Sequence, residues 1–177
     1  MVQNKRLSNY IMAVATSIVL LLSSSCFIVK YTTSGASIPA NARTFSVQTF
    51  DNQAAVVEAG LSQQVTDELK EYIQRNSSLT LINQTGDVDF EGAIVNYDVR
   101  PVAITANETA AKNRFTITIR VKYNCYIEPE KNYEESFSRY KDFPSVDNFD
   151  GAVKTTLTEE LLELLIEDIF NKAFVNW

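Results

Sequence analysis

The sequence predicts a two-layer α+β domain, in which a mixed β-sheet of four to five strands carries two α-helices packed on one face. Two observations support this prediction. Apolar residues recur with the period of an α-helix at about residues 55–75 and again from Thr156 to the C terminus. Before and between these stretches, apolar and polar residues alternate, as in strands with one buried face. The order of strand, helix, three or four strands and helix therefore places both helices on one side of a single sheet.

The first strand is predicted over residues 43–50, where Phe45 and Val47 alternate with polar neighbours. Asp51 and Asn52 are expected to end this strand.

The first helix is predicted over about residues 55–75 because one apolar stripe repeats every four residues. Gly60 weakens the first turn of this helix, and Ser62 offers a later start. The stripe consists of Val57, Leu61, Val65, Leu69 and Ile73.

Residues 79–82 form a short strand candidate, and the strand after it changes phase. Its apolar residues share one face at first and the opposite face afterwards, and a strand changes phase only through an extra residue. We therefore predict a β-bulge between Gly92 and Val95. The first group is Val88, Phe90 and Ile94, and the second is Val95, Tyr97 and Val99.

The next strand is the most regular of the chain, with one buried and one wet face. A turn at residues 130–132 and a weaker last strand at 133–140 follow, and residues 144–151 break the pattern. The buried face consists of Phe115, Ile117, Ile119, Val121, Tyr123, Cys125 and Ile127.

The last helix has a wide apolar stripe. This width indicates that more than half of the helix circumference is buried, or that the helix also contacts a partner. Thr156 and Glu159 have the spacing of a capping box at its start. The stripe contains Leu157, Leu161, Leu165, Ile169 and Ala173, widened by Leu162, Ile166, Phe170 and Trp177.

The N terminus has the features of an export signal. Lys5 and Arg6 precede an apolar run at residues 11–22, which is shorter than the ~20 residues of a membrane span. Three serines then lead to Cys26, as in bacterial lipoprotein signals that are cut before an acylated cysteine. The position three residues before the cysteine is Ser23, where such signals usually have an aliphatic residue. The alternatives are a plain secretory signal and an uncleaved short anchor.

Composition excludes several classes of function. The 177 residues include no histidine, so a Ser-His or Cys-His nucleophile and an imidazole metal site are excluded. The net charge of -6 argues against nucleic acid as a partner. We predict a binding or assembly protein that is not an enzyme and has no catalytic residue, metal or cofactor. Its parts are a signal peptide (1–25), a lipidated tether (26–41) and one α+β domain (42–177).

Four basic residues lie on the wet faces of neighbouring predicted strands: Arg100, Arg114, Arg120 and Lys122. Such a strip offers phosphates or carboxylates of a partner a cationic surface. The alternative is a solvated strand face with pairs to nearby carboxylates such as Asp98.

Two further features of the strands have simpler interpretations. Asp87, Asp89 and Glu91 suggest a cation site or, more simply, a solvated edge, since they lack the spacing of a calcium loop. Cys125 is interpreted as a small core residue.

Several long strings resemble the LptE-type lipopolysaccharide-assembly lipoproteins of Gram-negative bacteria. They are GASIP (35–39), LSQQVTDELKE (61–71), GDVDFEG (86–92), PVAITANETAAKNRFTI (101–117), ESFSRYKDF (135–143) and EDIFNKAFVNW (167–177). The resemblance runs from the lipoprotein signal to the last residue. It implies an outer-membrane lipoprotein with a sheet covered by two helices, which plugs the LptD-type barrel and helps insert lipopolysaccharide into the outer leaflet.

The resemblance also implies partners and a location. The partners are the LptD-type β-barrel, outer-membrane lipid reached through acylated Cys26, and lipopolysaccharide as a candidate ligand. The protein is expected at the outer membrane, on the periplasmic side or within a barrel lumen. The connection at residues 102–113 is longer than a hairpin needs, so it is a contact element or simply flexible. Asn107 and Glu108 within it are candidate contacts with the barrel or lipopolysaccharide.

Two other functions remain as alternatives. The first is a periplasmic lipoprotein that serves as a binding module of another envelope secretion or assembly complex. The second is an enzyme such as a carboxylate-dependent hydrolase, which requires acidic residues from different strands to share a pocket.

Overall fold

The computed structural model describes residues 38–39, 41–102 and 111–175, all within one compact unit that covers Ser34–Trp177. The described ranges contain six strands, two α-helices and one short 3₁₀ turn. In chain order they are β1 (Thr44–Val47), β2 (Asp51–Asn52), α1 (Leu61–Asn76), β3 (Thr80–Leu81), β4 (Val88–Val102), β5 (Lys112–Cys125), the turn Pro129–Lys131, β6 (Tyr133–Pro144) and α2 (Gly151–Phe174).

The six strands form one mixed sheet in the order β3-β1-β4-β5-β6. β1 runs parallel to both β3 and β4, whereas β5 is antiparallel to its two neighbours β4 and β6. β2 also pairs with β4, in parallel and further along than β1, so six strands occupy five positions across the sheet. The prediction of a mixed sheet of four to five strands with two helices is confirmed.

One face of the sheet is buried under both helices. Along β5, every second side chain from Phe115 to Cys125 is buried, and the side chains between them face outward. The buried side chains of α1 and α2 belong to the same core as those of β5. On α2 that core includes Leu161, Leu165 and Ile169, so the described part of the predicted apolar stripe is buried within the domain itself. Trp177, which the prediction also included, lies outside the described residues.

The β-bulge in β4 is confirmed. Ile94 pairs with Ile119 and Asn96 pairs with Thr118, so Val95 is the extra residue. Before the bulge, Phe90 and Ile94 face the helices, and after the bulge Tyr97 faces them. The bulge thereby keeps a 15-residue strand apolar on its helix side along its length.

Gly92 in β4 makes room for Phe50. A Cβ at this position would lie closer than van der Waals distance to the Phe50 ring and to the Arg120 carbonyl. Phe50 itself is completely buried and lies between β1 and β2. The glycine therefore lets the loop that joins these strands fill the core over β4.

Both helix starts differ from the sequence prediction. α1 begins at Leu61 rather than at 55, because its N-cap Gly60 has a φ of +82°, a left-handed conformation that interrupts the helix. Val57 lies outside the helix and its side chain is 68% exposed, so its assignment to the buried stripe is wrong. α2 begins at Gly151 after the N-cap Asp150, and the capping box predicted at Thr156 is wrong because this residue lies inside the helix.

Two strand boundaries also differ. Asp51 and Asn52 do not end the first strand but form β2, which pairs with β4. β6 continues to Pro144, since its pairing with β5 extends to the far end of that strand, where Lys112 lies opposite Pro144. No helix in the described ranges is long and apolar enough to cross a membrane.

Candidate functional site

The candidate site is the polar face, which we define as the side of β4, β5 and β6 opposite the helices. Its middle is neutral, because Asn96, Thr118 and Ser138 lie opposite one another on the three strands. The Thr118 and Ser138 hydroxyls are 2.9 Å apart. The polar face comprises Glu91, Asn96, Asp98, Arg100, Arg114, Thr116, Thr118, Arg120, Lys122, Glu134, Ser136, Ser138, Tyr140 and Asp142.

Arg114 and Arg100 lie at the end of the polar face next to the connection between β4 and β5, which covers residues 103–111 rather than the predicted 102–113 because both strands extend into it. Arg114 donates two hydrogen bonds to Asp142, at 2.7 Å from Nε and 2.9 Å from Nη2. These bonds lower the pKa of the Asp142 carboxyl, and the guanidinium also lies 3.9 Å from the centre of the Tyr140 ring. Arg100 pairs with Asp98 on its own strand. Arg100 and Arg114 therefore each have a carboxylate partner.

Arg120 and Lys122 lie at the opposite end, beside a polar crevice of about 350 Å³. Arg120 is 3.5 Å from Glu134 and donates to the Gln53 side chain at 3.0 Å. Lys122 lies 3.4 Å from Glu91, which also accepts from the Asn124 amide at 2.9 Å. The segment that contains β2 supplies one wall of the crevice, since Thr49, Asp51 and Gln53 line it.

The structure thus places the four predicted basic residues on one face but divides them between its two ends, with hydroxyl and amide side chains between. Each of the four has a carboxylate partner, so the face is a set of local ion pairs rather than an uncompensated cationic strip. Asn107, Glu108 and Cys26 lie outside the described residues.

Comparison with known proteins identifies the family of this chain. The sequence profile of the family described as "LptE: Lipopolysaccharide-assembly" matches residues 42–173. The chain belongs to the LptE family. This match spans all the strands described above and nearly all of α2, so the whole sheet and its polar face belong to the LptE domain.

Solved structures that resemble this LptE-family chain do so in fold alone, at low sequence identity. Lipoprotein B from Nitrosomonas europaea has a TM-score of 0.52 at 8% identity, over 73% of this chain and 80% of that one. A DUF330 protein from Xanthomonas campestris has a TM-score of 0.50 at 9% identity, over 76% and 88%. A minor lipoprotein from Acinetobacter baumannii has a TM-score of 0.49 at 12% identity, over 74% and 91%. No curated protein matches the chain in sequence.

The acidic residues at the start of β4 join strands in this LptE domain. Asp87 accepts hydrogen bonds from the backbone of Arg43 at 2.8 Å and from both the backbone and hydroxyl of Thr44 at 2.9 Å. These bonds lower the pKa of the Asp87 carboxyl. Asp89 is only 2% exposed and accepts from the Ser46 hydroxyl and the Gln48 amide.

The interpretation of these carboxylates as a solvated edge is therefore wrong for Asp89, which is buried, whereas Asp87 is partly exposed but bonded to Arg43, the residue before β1. They connect β1 to β4, and this parallel pairing of residues more than 40 positions apart has no local signal in the sequence. Among the described residues, no three His, Cys, Asp or Glu side chains are grouped to hold a metal ion.

Sequence reasoning also missed a row of ion pairs on the helix side of β6. They link the edge strand to α2 at three levels along its length. The pairs are Glu135 with Lys172, Arg139 with Asp168, and Lys141 with Glu160. The acidic residues of α2 had the spacing of an ordinary exposed face, and only the tertiary structure shows which of them meet β6.

Several glutamates lie in or beside the groove between α1 and α2. Glu68 on α1 is half-buried, and burial raises the pKa of its carboxyl. The Gln64 amide, which donates to Glu68 at 2.9 Å, opposes this shift, while Glu159, Glu71 and Glu163 add to it. Protonation of Glu68 is therefore easier in the folded LptE domain than in the unfolded chain.

Proposed function

We propose that this protein is an outer-membrane lipoprotein that occupies the lumen of an LptD-type barrel and assists the assembly of lipopolysaccharide into the outer leaflet. The observation that carries the proposal is the contrast between the two sheet faces. The helices bury one face, whereas no described element covers the central rows of the polar face, where Ser138 is exposed and Thr118 is partly exposed. We assign no chemical step to the protein.

The polar face has the chemistry that fits a barrel lumen. The interior of an outer-membrane barrel is polar, so a plug needs hydrogen-bonding groups rather than apolar surface. Ion pairs such as Arg114 with Asp142 enter such an interface already paired, which reduces the cost of removing them from water. The hydroxyls of Thr118 and Ser138 between the two charged ends add donors and acceptors without net charge.

We also propose that the basic residues of the polar face contact the barrel or lipopolysaccharide. Phosphates of lipid A would compete with the present carboxylate partners for the Arg100, Arg114, Arg120 and Lys122 side chains. Asn107 and Glu108 are proposed as further contacts, because their connection leaves the sheet at the end where Arg100 and Arg114 lie.

The proposal assigns membrane attachment to Cys26. Cleavage before this residue would remove residues 1–25, and acyl chains on its sulfur and new N terminus would hold the 42–177 domain at the membrane through the 26–41 tether. Each buried CH₂ contributes ~0.8 kcal/mol, and two or more chains give stable attachment. A Cys26→Ala variant should therefore appear in the soluble fraction, and continued fractionation with outer membranes would contradict this assignment.

Site-specific photocrosslinking in cells tests the proposed barrel contact. Crosslinker residues at Thr118 and Ser138 on the polar face should capture a much larger outer-membrane barrel protein. Matched crosslinkers at Asp67 and Glu71, on the exposed side of α1, serve as controls and should capture it less efficiently. A barrel adduct that forms equally from both sides, or from α1 alone, would overturn the assignment of the polar face.

The alternative function is a binding module of another envelope secretion or assembly complex. Purification of the tagged, lipidated chain in mild detergent separates the two proposals. Recovery of a large barrel supports the lipopolysaccharide role, and recovery of a secretion complex without the barrel supports the alternative. Depletion of the protein should increase envelope permeability and leave lipopolysaccharide short of the cell surface only under the first proposal.

A further inference from the structure

Two tyrosines, one buried and one partly buried, lie at the end of the sheet where β5 turns into β6, and both have shielded hydroxyls. Tyr123 on β5 and Tyr133 on β6 lie directly opposite each other, with ring centres 5.1 Å apart and planes only 18° from parallel. Both phenolic oxygens are shielded from solvent, and neither has a nitrogen or oxygen partner among the described residues, although the Cys125 thiol lies beside the Tyr123 hydroxyl. A shielded hydroxyl that loses water without gaining a partner is destabilising, so two together need an explanation.

The surroundings of the pair are mostly apolar. The edges of the Phe90 and Phe174 rings pack against Tyr123, with ring centres 5.2 and 6.2 Å away. Burial raises the pKa of both phenols far above neutral, and the thiol of Cys125, two residues along β5, raises that of Tyr123 further. Each phenol therefore keeps its proton and offers one donor and acceptor lone pairs.

We propose that Tyr123 and Tyr133 bind one internal water molecule between their hydroxyls. The two rings stack on neighbouring strands with their centres 5.1 Å apart, and the proposal places their hydroxyls at a similar separation. One water accepts a hydrogen bond from one phenol and donates to the other at ~2.8 Å each, which spans this separation. The Cys125 sulfur supplies a third polar neighbour, and buried waters typically make two to four such contacts.

The proposed water joins β5 to β6 beneath the last turn of α2, which packs against the tyrosine pair. Phe174 lies against Tyr123, and the Lys172 ammonium lies 5.5 Å from the centre of the Tyr133 ring. This site is separate from the polar face, because both tyrosines point to the helix side of the sheet. The inference is thus independent of the proposed function.

A crystal structure of the full chain at about 1.8 Å or better tests the site directly. We expect a density peak within about 2.6–3.2 Å of both hydroxyls. Absence of that peak overturns the inference, as does a direct hydrogen bond between the two phenols.

Equilibrium unfolding of the full chain in detergent gives a second measurement. If the two hydroxyls share a water, the effects of Tyr123→Phe and Tyr133→Phe on the unfolding equilibrium constant should be non-additive. The constant of the double variant should differ by about fivefold from the value that the two single effects predict when multiplied. Tyr140→Phe is the matched control, because Tyr140 lies on the same strand as Tyr133 with 57% exposure, and it should be additive with Tyr123→Phe. Additivity of the Tyr123 and Tyr133 variants within twofold would overturn the shared water.

Discussion

Arg139 and Asp168 form a two-point ion pair, with Nε–Oδ2 and Nη2–Oδ1 distances of 2.6 Å, that joins the edge strand β6 to α2. The edge strand has few buried side chains of its own, since Phe143 alone is buried among the described residues of β6. Charged contacts with α2 therefore replace part of the apolar packing that holds the central strands.

We expect this pair to stabilise the domain measurably, because a bidentate arginine–carboxylate contact is stronger than an ordinary surface pair. A double-mutant cycle with Arg139→Gln and Asp168→Asn should give a coupling of about 0.5–1 kcal/mol in the free energy of unfolding at low salt. The coupling should decrease in 1 M salt, where exposed charges are screened within about 3 Å.

The Lys70–Asp67 pair within α1 is the matched control. Its closest atoms are 3.8 Å apart, and it makes a single contact. We expect a coupling near zero for this pair. An Arg139–Asp168 coupling no larger than that of the control would show that the bidentate geometry contributes nothing to stability.

The second prediction concerns the close packing of Gly92 against Phe50. Gly92→Ala should destabilise the fold by about 1–3 kcal/mol, because the added methyl group overlaps the Phe50 ring and the Arg120 carbonyl. Thermal and denaturant unfolding measure the loss. Phe50→Leu should be less harmful when combined with Gly92→Ala than in the wild type, since it removes part of the overlap. Equal effects in both backgrounds would contradict the steric explanation.

How much of this structure follows from the sequence depends on whether the signal is local. The alternation of apolar and polar residues along β5 and the phase change around Val95 are local patterns. The first predicted the buried face of β5, and the second predicted the bulge in β4. The start of α1 was misplaced because the apolar stripe extends to Val57, while Gly60 with its φ of +82° interrupts the chain between them. The roles of Asp87 and Asp89 depend on the parallel pairing of β1 with β4, which no short-range pattern encodes.

In the candidate site, too, local patterns predicted some features and long-range pairing determined the others. The sequence placed Arg114, Arg120 and Lys122 on one outward face, because alternation fixes the side of a strand on which each residue lies. It did not predict their partners. Asp142 and Glu134 belong to β6, and the register that brings them beside β5 is set by the whole antiparallel pairing.

The third prediction is a pH dependence that arises from Glu68. Its folded-state pKa lies above the unfolded value of 4.5, so its contribution to stability is present below that value and is lost as pH rises through the folded-state pKa. Glu68→Gln should therefore be more stable than the wild type at pH 7, by a few tenths of a kcal/mol after allowance for solvent screening. The difference should shrink towards pH 4.

A second variant in the same groove should act in the opposite direction. The Gln64 amide stabilises the charged form of Glu68, so Gln64→Leu should raise the pKa of Glu68 further and steepen the loss of stability above pH 4.5. Denaturant unfolding between pH 4 and pH 8 measures both slopes. If the stabilities of Glu68→Gln and of the wild type change with pH in parallel, the groove does not raise the pKa of the Glu68 carboxyl.

The fourth prediction tests the end of the polar face that carries Arg120 and Lys122, in cells. Reversing both charges with Arg120→Glu and Lys122→Glu should weaken recovery of the barrel and lower surface lipopolysaccharide, because it places new carboxylates beside Glu134 and Glu91 in the polar crevice. The control variant reverses the charges of Lys70 and Arg75 on α1, and it leaves the polar face unchanged. Circular dichroism of both variants checks that the fold is retained. If the Arg120 and Lys122 variant folds and keeps both barrel binding and lipopolysaccharide at wild-type levels, these two side chains make no contact that matters for assembly.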